Sequence, residues 1–383
     1  MKYFFQVGNH PKLAKSELEA VLRRENIDFE ISFVIENIIV LETKITLEKN
    51  LLKLLGGFVK FGIIEFETTR NNLQKDIFQY LIKYNYEKIF FGLNNFTSEN
   101  LKLNKIGLEL KKELKNSNKN CRFVSGVENP LSSVIIHKNN LDKENGFDLN
   151  FISSADTILV GRTLAVQDYN FYSKIDYGRP AKDDLSGMLP PKVSQIMINL
   201  AEIKNNKLKV LDPFCGSGTI LQMAALQGVI NLIGYDNSVK AIKDTTENLD
   251  WLKKSFDLKF NLELETLGIE NLEQKIKAGS IDVVVTEPYL GPAMRGSEGN
   301  DFVKKVQEEL SQLYTKMFTQ LEKALKSSGV MIIIIPEIHI KGKIYQFNIN
   351  ELIGNKLQVE NEWQYSREKQ RVVRNIYKIK KVT

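Results

Sequence analysis

The chain has 383 residues, too many for one ordinary domain, and 43% of them are hydrophobic, enough for two or three cores. The net charge of +6 is spread evenly: residues 1–165 hold 23 Lys and Arg against 20 Asp and Glu, and residues 166–383 hold 30 against 27. Charge therefore singles out no nucleic-acid domain; the mild basicity fits an RNA or DNA partner without demanding one.

Residues 3–7 read as a strand and 13–22 as an amphipathic helix, with Leu13, Leu18, Val21 and Leu22 on its apolar side. Residues 29–34 and 38–42 alternate as a hairpin around Glu36-Asn37. Residues 47–55 are expected to be helical until Gly56-Gly57 stops them, and 58–66 return as strand. Strand, helix, two strands, helix, strand is the ferredoxin-like order, which assigns residues 1–68 to a first domain. Residues 69–166 read as a small α+β domain. Helices are expected there at 73–83 and 100–114, and strands at 88–93, 121–124, 134–137, 147–153 and 157–165. Its closing segments, Asp148-Leu149-Asn150-Phe151-Ile152 and Ile158-Leu159-Val160-Gly161-Arg162-Thr163, resemble the THUMP domain of RNA-modifying enzymes.

Residues 167–192 form a linker, in which Pro190 and Pro191 suit the first turn of a helix continuing through Val193, Ile196, Met197 and Leu200. The next stretch is Val210-Leu211-Asp212-Pro213-Phe214-Cys215-Gly216-Ser217-Gly218-Thr219. Val210 and Leu211 begin as a buried parallel strand, Gly216 and Gly218 permit a tight turn and close backbone approach, and Ile220, Leu221, Ala224 and Ala225 recur at helical spacing. Such a turn brings free backbone N–H groups and a positive dipole end to a ligand. Alone it also fits an ordinary βα turn or a dinucleotide fold. The turn lacks the Gly-x-Gly-x-x-Gly pyrophosphate fingerprint, and a second short strand ends in Asp236 about 20 residues on, where doubly wound folds place a ribose-binding acid. The remainder alternates: helix at 239–252, strand at 260–264, strand at 281–285, helix at 302–326, strand at 330–335, and a final antiparallel pair at 356–365 and 372–378.

The connector reads Gln167-Asp168-Tyr169-Asn170-Phe171-Tyr172, then Asp176-Tyr177-Gly178-Arg179-Pro180, then Gly187-Met188-Leu189-Pro190-Pro191-Lys192. Joined to the glycine turn, it closely resembles the THUMP-containing tRNA guanine-N2 methyltransferases. The resemblance covers essentially the whole chain and is strongest over residues 161–236 and around Glu287. It implies an α/β chain: a C-terminal class I methyltransferase domain, a Rossmann-like doubly wound sheet over 193–383, preceded by α+β ferredoxin-like and THUMP domains. It also implies S-adenosyl-L-methionine as cofactor. Asp212, Pro213, Phe214, Cys215, Gly216, Ser217 and Gly218 would cup its methionine part, and Asp236, with Asn237 beside it, would hold the ribose hydroxyls. The acid that commonly contacts adenine is replaced by Ile269, and Glu270 is the substitute.

The chemical motif is Ile281-Asp282-Val283-Val284-Val285-Thr286-Glu287-Pro288-Tyr289-Leu290-Gly291-Pro292. The lone pair of an exocyclic base amine is delocalised into the ring, so a group that accepts its N–H bonds localises the pair and can take the proton. Proline stiffens the turn, and an aromatic face stacks the base. The family usually has Asp-Pro-Pro-Tyr here. Aligned without a gap, Glu287 takes the aspartate place; aligned on Pro288-Tyr289, Thr286 does. Glu287 is the expected acceptor because only it restores a carboxylate; the other reading makes it a turn cap. Cys215 reads as a packing residue before a nucleophile, and residues 365–374 and Arg295 as a solvated hairpin and loop before an RNA contact.

Cys121 and Cys215 are the two cysteines, in unrelated contexts, which argues against a disulfide framework and a cysteine zinc site and suits a reducing cytoplasm. His10, His137 and His339 form no metal pattern, so no metal is expected. The run 330–335 is too short to span a bilayer, and residues 1–6 lack an apolar signal core. The expected activity is methylation of the N2 amine of a tRNA guanosine, at position 10 by family resemblance, with tRNA as partner and a small activator subunit left open. The alternatives are a DNA amino-methyltransferase and a non-catalytic RNA-binding protein that keeps the fold.

Overall fold

A computed structural model describes residues 1–154, 156–182, 188–367 and 370–382. Gly187 of the connector, and Glu368 and Lys369 of the basic turn, lie outside the described residues. The chain folds as two units: Met1–Pro11, Ile27–Leu54 and Phe58–Phe171 in one, Lys12–Asn26, Leu55–Gly57 and Tyr172–Thr383 in the other.

The elements begin with β1 (Lys2–Val7), α1 (Pro11–Arg24), β2 (Glu30–Ile35), β3 (Ile38–Glu42) and β4 (Phe58–Thr68). They continue with α2 (Leu73–Ile82), β5 (Ile89–Phe96), α3 (Leu103–Asn116), β6 (Cys121–Val124), α4 (Ser133–Lys138), β7 (Gly146–Ser154) and β8 (Thr157–Val166). The eight strands make one mixed sheet, ordered β2-β3-β1-β4-β8-β7-β5-β6, in the first unit. Phe91, Phe147, Phe151 and Val160 anchor its core together with Leu110 and Leu114 of α3. Lys60 of β4 and Asp148 of β7 are both buried and bonded at 2.7 Å, with Asn94 and Thr163 satisfying the rest of the carboxylate. A buried charge survives in a sheet only with such partners.

Three local expectations need correction. Residues 134–137 are helical, not a strand: Ser132 caps α4 by accepting from the Ile135 N–H at 3.4 Å, and only Ile136 of that helix is buried. A β-branched run reads as strand when the cap before it is overlooked. Residues 47–55 hold a 3-10 turn at Lys49–Leu54 and no α-helix. The linker contains a helix, α5 (Tyr169–Tyr177), whose first N–H groups, those of Asn170 and Phe171, donate to Asp168 Oδ1 at 3.0 and 3.1 Å.

The second unit follows as α6 (Pro191–Leu200), β9 (Lys209–Asp212), α7 (Thr219–Leu226), β10 (Asn231–Asp236), α8 (Val239–Phe256), β11 (Asn261–Thr266) and β12 (Ile281–Thr286). Then come α9 (Asn300–Ala324), β13 (Leu325–Ile340), β14 (Lys343–Tyr345), α10 (Ile349–Ile353), β15 (Leu357–Tyr365) and β16 (Val372–Lys381). Its sheet runs β11-β10-β9-β12-β13-β16-β15. β11, β10, β9, β12 and β13 are parallel neighbours, and β16 joins β13 antiparallel. Parallel strands covered on both faces need near-continuous apolar sequence, as in Val283-Val284-Val285 and the buried run from Val330 to Ile335. Val303, Val306, Leu310, Met317 and Leu321 pack α9 into the core beside Val284, Met331 and Ile333. The order in which strands are added reverses at β9, the switch point at which a doubly wound sheet takes its ligand, at the carboxyl ends of β9, β10 and β12.

The helix α1 belongs to this second unit although strands of the first bracket it in sequence. Its Glu17 is fully buried: Oε1 accepts from the Gly56 N–H and from Asn199 Nδ2, each at 2.7 Å, and Oε2 accepts from the Gly57 N–H at 2.8 Å. Gly57 must lack a side chain, since a Cβ there would stand 2.9 Å from Ala14 Cβ. Burial pushes the Glu17 carboxyl up to about 7, against the pull of those donors.

Candidate active site

The chain leaves β9 at Asp212 and turns through two glycines with positive φ, 52° at Gly216 and 81° at Gly218. The Gly218 N–H donates to the Cys215 carbonyl at 2.7 Å, and α7 starts at the next residue. A Cβ at Gly216 would meet nothing within 4 Å, so that backbone faces open space; one at Gly218 would stand 2.9 Å from Thr245 Cγ2. Thr245 Oγ1 donates to the Gly216 carbonyl at 2.6 Å, and Asn248 Nδ2 to the Ser217 carbonyl at 2.9 Å. Both come from α8 and are buried on its inner face beside Leu249 and Leu252. Two polar residues on an apolar helix stripe were the signal that sequence reading passed over. Arg179 of the connector also reaches the turn, its guanidinium donating to Thr219 Oγ1 at 2.8 Å.

Three carboxylates converge there. Asp236 ends β10 and accepts from the Gly216 N–H at 3.0 Å and the Ser238 N–H at 2.9 Å. One lone pair on each oxygen remains for a ligand. Asp212 is 1% exposed and accepts from Thr286 Oγ1 at 2.6 Å and the Phe214 N–H at 3.2 Å. Burial pushes its carboxyl up to about 7, and the charges of Asp236 and Glu287 add to the rise. Cys215 is buried among them; burial first, then Asp212 and Asp236, push its thiol well up. Burial and these neighbouring charges both disfavour the reactive thiolate. Pro213 and Ser217 are buried, and Phe214 packs partly against the core under the sheet.

The third carboxylate, Glu287, lies one residue beyond β12. Thr286 is buried and its hydroxyl donates to Asp212, which leaves its oxygen lone pairs able to accept but enclosed in the core. The Glu287 side chain is 15% exposed, and Arg374 Nε of β16 donates to its Oε1 at 2.6 Å. Burial raises this carboxyl and Arg374 opposes the rise. Pro288 is buried, whereas Tyr289 is 58% exposed. Tyr314 of α9 donates its hydroxyl to the Tyr289 carbonyl at 2.7 Å and fixes the turn that carries the ring.

Leu267 N–H donates to the Asp236 carbonyl at 2.8 Å, Ile269 is buried, and Glu270 is exposed, its carboxylate folded against Gly268. Asn237 is exposed between Asp236 and Ser238, which caps α8 through its side chain. Arg295 is exposed, in a loop whose Arg295 and Gly296 N–H groups donate to Glu298 at 2.6 and 2.7 Å. Among the described residues no group of three or more His, Cys, Asp or Glu is placed to hold a metal ion, and no helix is long and apolar enough to cross a membrane.

The sequence family described as "Methyltransferase domain" matches residues 204–377. A tRNA (guanine(10)-N2)-dimethyltransferase of Methanocaldococcus jannaschii is 30% identical over 146 residues, 36% of this chain and 38% of that protein. The U6 snRNA (guanine-N(2))-methyltransferase THUMPD2 of Bos taurus is 27% identical over 148 residues, 38% of this chain and 25% of that protein. The chain thus spans well under half the length of these curated relatives. In fold, it matches the crystal structure of TrmN from Thermus thermophilus with a TM-score of 0.60 over 100% of both chains, at 12% identity. The doubly wound C-terminal sheet, its glycine turn and these likenesses together make residues 204–377 a class I, S-adenosylmethionine-dependent methyltransferase domain related, at distant identity, to the tRNA guanine-N2 methyltransferases.

Proposed function

We propose that this protein methylates the exocyclic N2 amine of a guanosine in RNA, most directly a tRNA and by family resemblance its position 10. The observation that carries the reading is the meeting of Asp212, Asp236 and Glu287 at the carboxyl ends of adjacent strands, beside a glycine turn whose backbone faces open space. The turn 212–218 holds the methionine part of the cofactor, and Asp236, with Asn237 beside it, the ribose hydroxyls; Glu270 stands nearest the adenine side. S-adenosylmethionine, when bound, supplies a methyl group on a positively charged sulfur.

The chain's own residues do the rest. Glu287 accepts a hydrogen bond from the base amine and localises its lone pair; as the nitrogen–carbon bond forms and the carbon–sulfur bond breaks, it takes the amine proton. Pro288 stiffens the turn, and the exposed ring of Tyr289 stacks on the base. Residues 1–68 as a ferredoxin-like domain and 69–166 as a THUMP domain hold the RNA, and a small activator subunit is a candidate further partner. Two relatives whose names specify guanine-N2 methylation support the base and the atom, and they differ in the RNA named.

The test is nucleoside mass spectrometry after incubating the protein with methyl-labelled cofactor and, separately, unfractionated tRNA, U6 RNA and duplex DNA. N2-methylguanosine or its dimethyl form from tRNA is the expected product. Label on another base, or on DNA alone, refutes it. The departure of Thr286-Glu287-Pro288-Tyr289 from Asp-Pro-Pro-Tyr motivates a second reading, a non-catalytic RNA-binding protein, and cofactor binding without turnover on any RNA would support that one.

A further inference from the structure

Glu287 is not alone at the end of β12. Arg374 pairs in the sheet with Pro336 of β13, and its guanidinium reaches Glu287, beyond the next strand. Its side chain is 10% exposed, so this is a buried pair and not a surface ion bridge. We propose that Arg374 is the positioning residue of the active site, holding Glu287 by one oxygen so that the other is presented to the substrate amine. The inference rests on the guanine-N2 reading and deepens it.

Three features support it. The contact is one-sided: Nε donates to Oε1, and among the described residues Oε2 has no hydrogen-bond partner. A glutamate has one more rotatable bond than an aspartate, so in this turn the side chain needs an anchor that a shorter acid would not. The burial of the site is also hostile to a carboxylate. Glu287 is faced by Asp212 from β9 and by Tyr314 from α9, with Tyr289 in its own turn, and Arg374 from β16 is the cation beside it. Burial favours the protonated acid, which cannot accept the amine proton; Arg374 favours the ionised form.

The proton balance follows. The ionised carboxylate receives one proton from the amine as the new nitrogen–carbon bond forms, and the acid then releases it to water.

The test is a double-mutant cycle on single-turnover methyl transfer, read from pH 5 to 9, with cofactor affinity measured by calorimetry for each variant. Glu287→Gln should slow transfer by about a hundredfold or more. Arg374→Gln should slow it by about tenfold or more at pH 7, move the acid limb of the rate profile to higher pH, and leave cofactor affinity unchanged. Arg374→Lys, which keeps the charge but not the planar fork, should restore part of the loss. In the double variant Arg374→Gln should add nothing to Glu287→Gln, because the arginine acts through the carboxylate. An acid limb that stays in place, or two losses that multiply, overturns the inference. A wild-type protein that makes no N2-methylguanosine overturns the underlying reading instead, so the two failures are distinct.

Discussion

Replacing Glu17 by glutamine isolates the titration of one buried group. Below pH 4.5 the carboxyl is protonated folded or unfolded; between there and about 7 the folded state holds the proton that the unfolded chain releases. Stability must therefore fall as pH rises through this window, because the folded state binds more protons there. Taking the rise from 4.5 to about 7 at 1.36 kcal/mol per unit, the loss is about 3 kcal/mol once both steps are complete. The amide that Glu17→Gln introduces does not titrate. It carries a fixed cost, since its NH₂ meets either the Gly56 or the Gly57 N–H, but that cost is the same at every pH. Other titrating groups, Asp212 among them, cancel in the difference between the two proteins. The assay is urea unfolding at pH 4 to 8.5, followed by the fluorescence of Trp251 and Trp363, both in the second unit. The variant should gain about 3 kcal/mol on the wild type between the two ends of the series. A difference that is flat, or that drifts the other way, means that the three N–H donors outweigh desolvation and the reasoning fails.

Other expectations concern the active site. Gly218→Ala forces a side chain into a left-handed position and against Thr245, so it should cost about 1–2 kcal/mol in thermal unfolding and weaken cofactor binding; unchanged melting would contradict the turn geometry. Thr286→Val strips the buried Asp212 of its hydroxyl donor and should destabilise the domain by about 1–3 kcal/mol, yet the folded variant should still transfer methyl groups. Complete loss of transfer with cofactor bound would make Thr286, not Glu287, the acceptor. Asp236→Ala should weaken cofactor binding roughly tenfold or more in calorimetry, the scale of lost hydrogen bonds to a charged group. Tyr289→Ala should weaken RNA binding by about 1–3 kcal/mol in a filter assay and leave cofactor affinity alone, the signature of a lost stacking platform.

The parallel strands of the second unit were legible because each is a short apolar run bounded by turn residues, and Asp212 and Asp236 could be placed because both end such runs. The glycines at 216 and 218 mark positions that only glycine occupies cheaply, which is why the turn stood out. What stayed hidden depends on contacts between distant segments. Nothing local in Arg374 marks it as the partner of a residue 87 positions earlier; strand β16 brings it there by pairing with β13. The placing of α1 in the second unit was equally illegible: its sequence announces an apolar face, not what that face meets. Only the buried Glu17 on that face, among Leu13, Leu18 and Val21, hinted at a specific partner. The choice between Thr286 and Glu287 was open in sequence; the fold adds that Thr286 is buried with its hydroxyl turned to Asp212, whereas the Glu287 side chain is partly exposed.

The most direct test of the account is a crystal structure of the protein with S-adenosylhomocysteine. The account predicts the homocysteine part along Gly216, Ser217 and Gly218, the ribose hydroxyls on Asp236, and Glu287 still held by Arg374 with its second oxygen toward the sulfur. A product molecule bound away from this turn, or a Glu287 carboxylate swung out of the crevice, would contradict it.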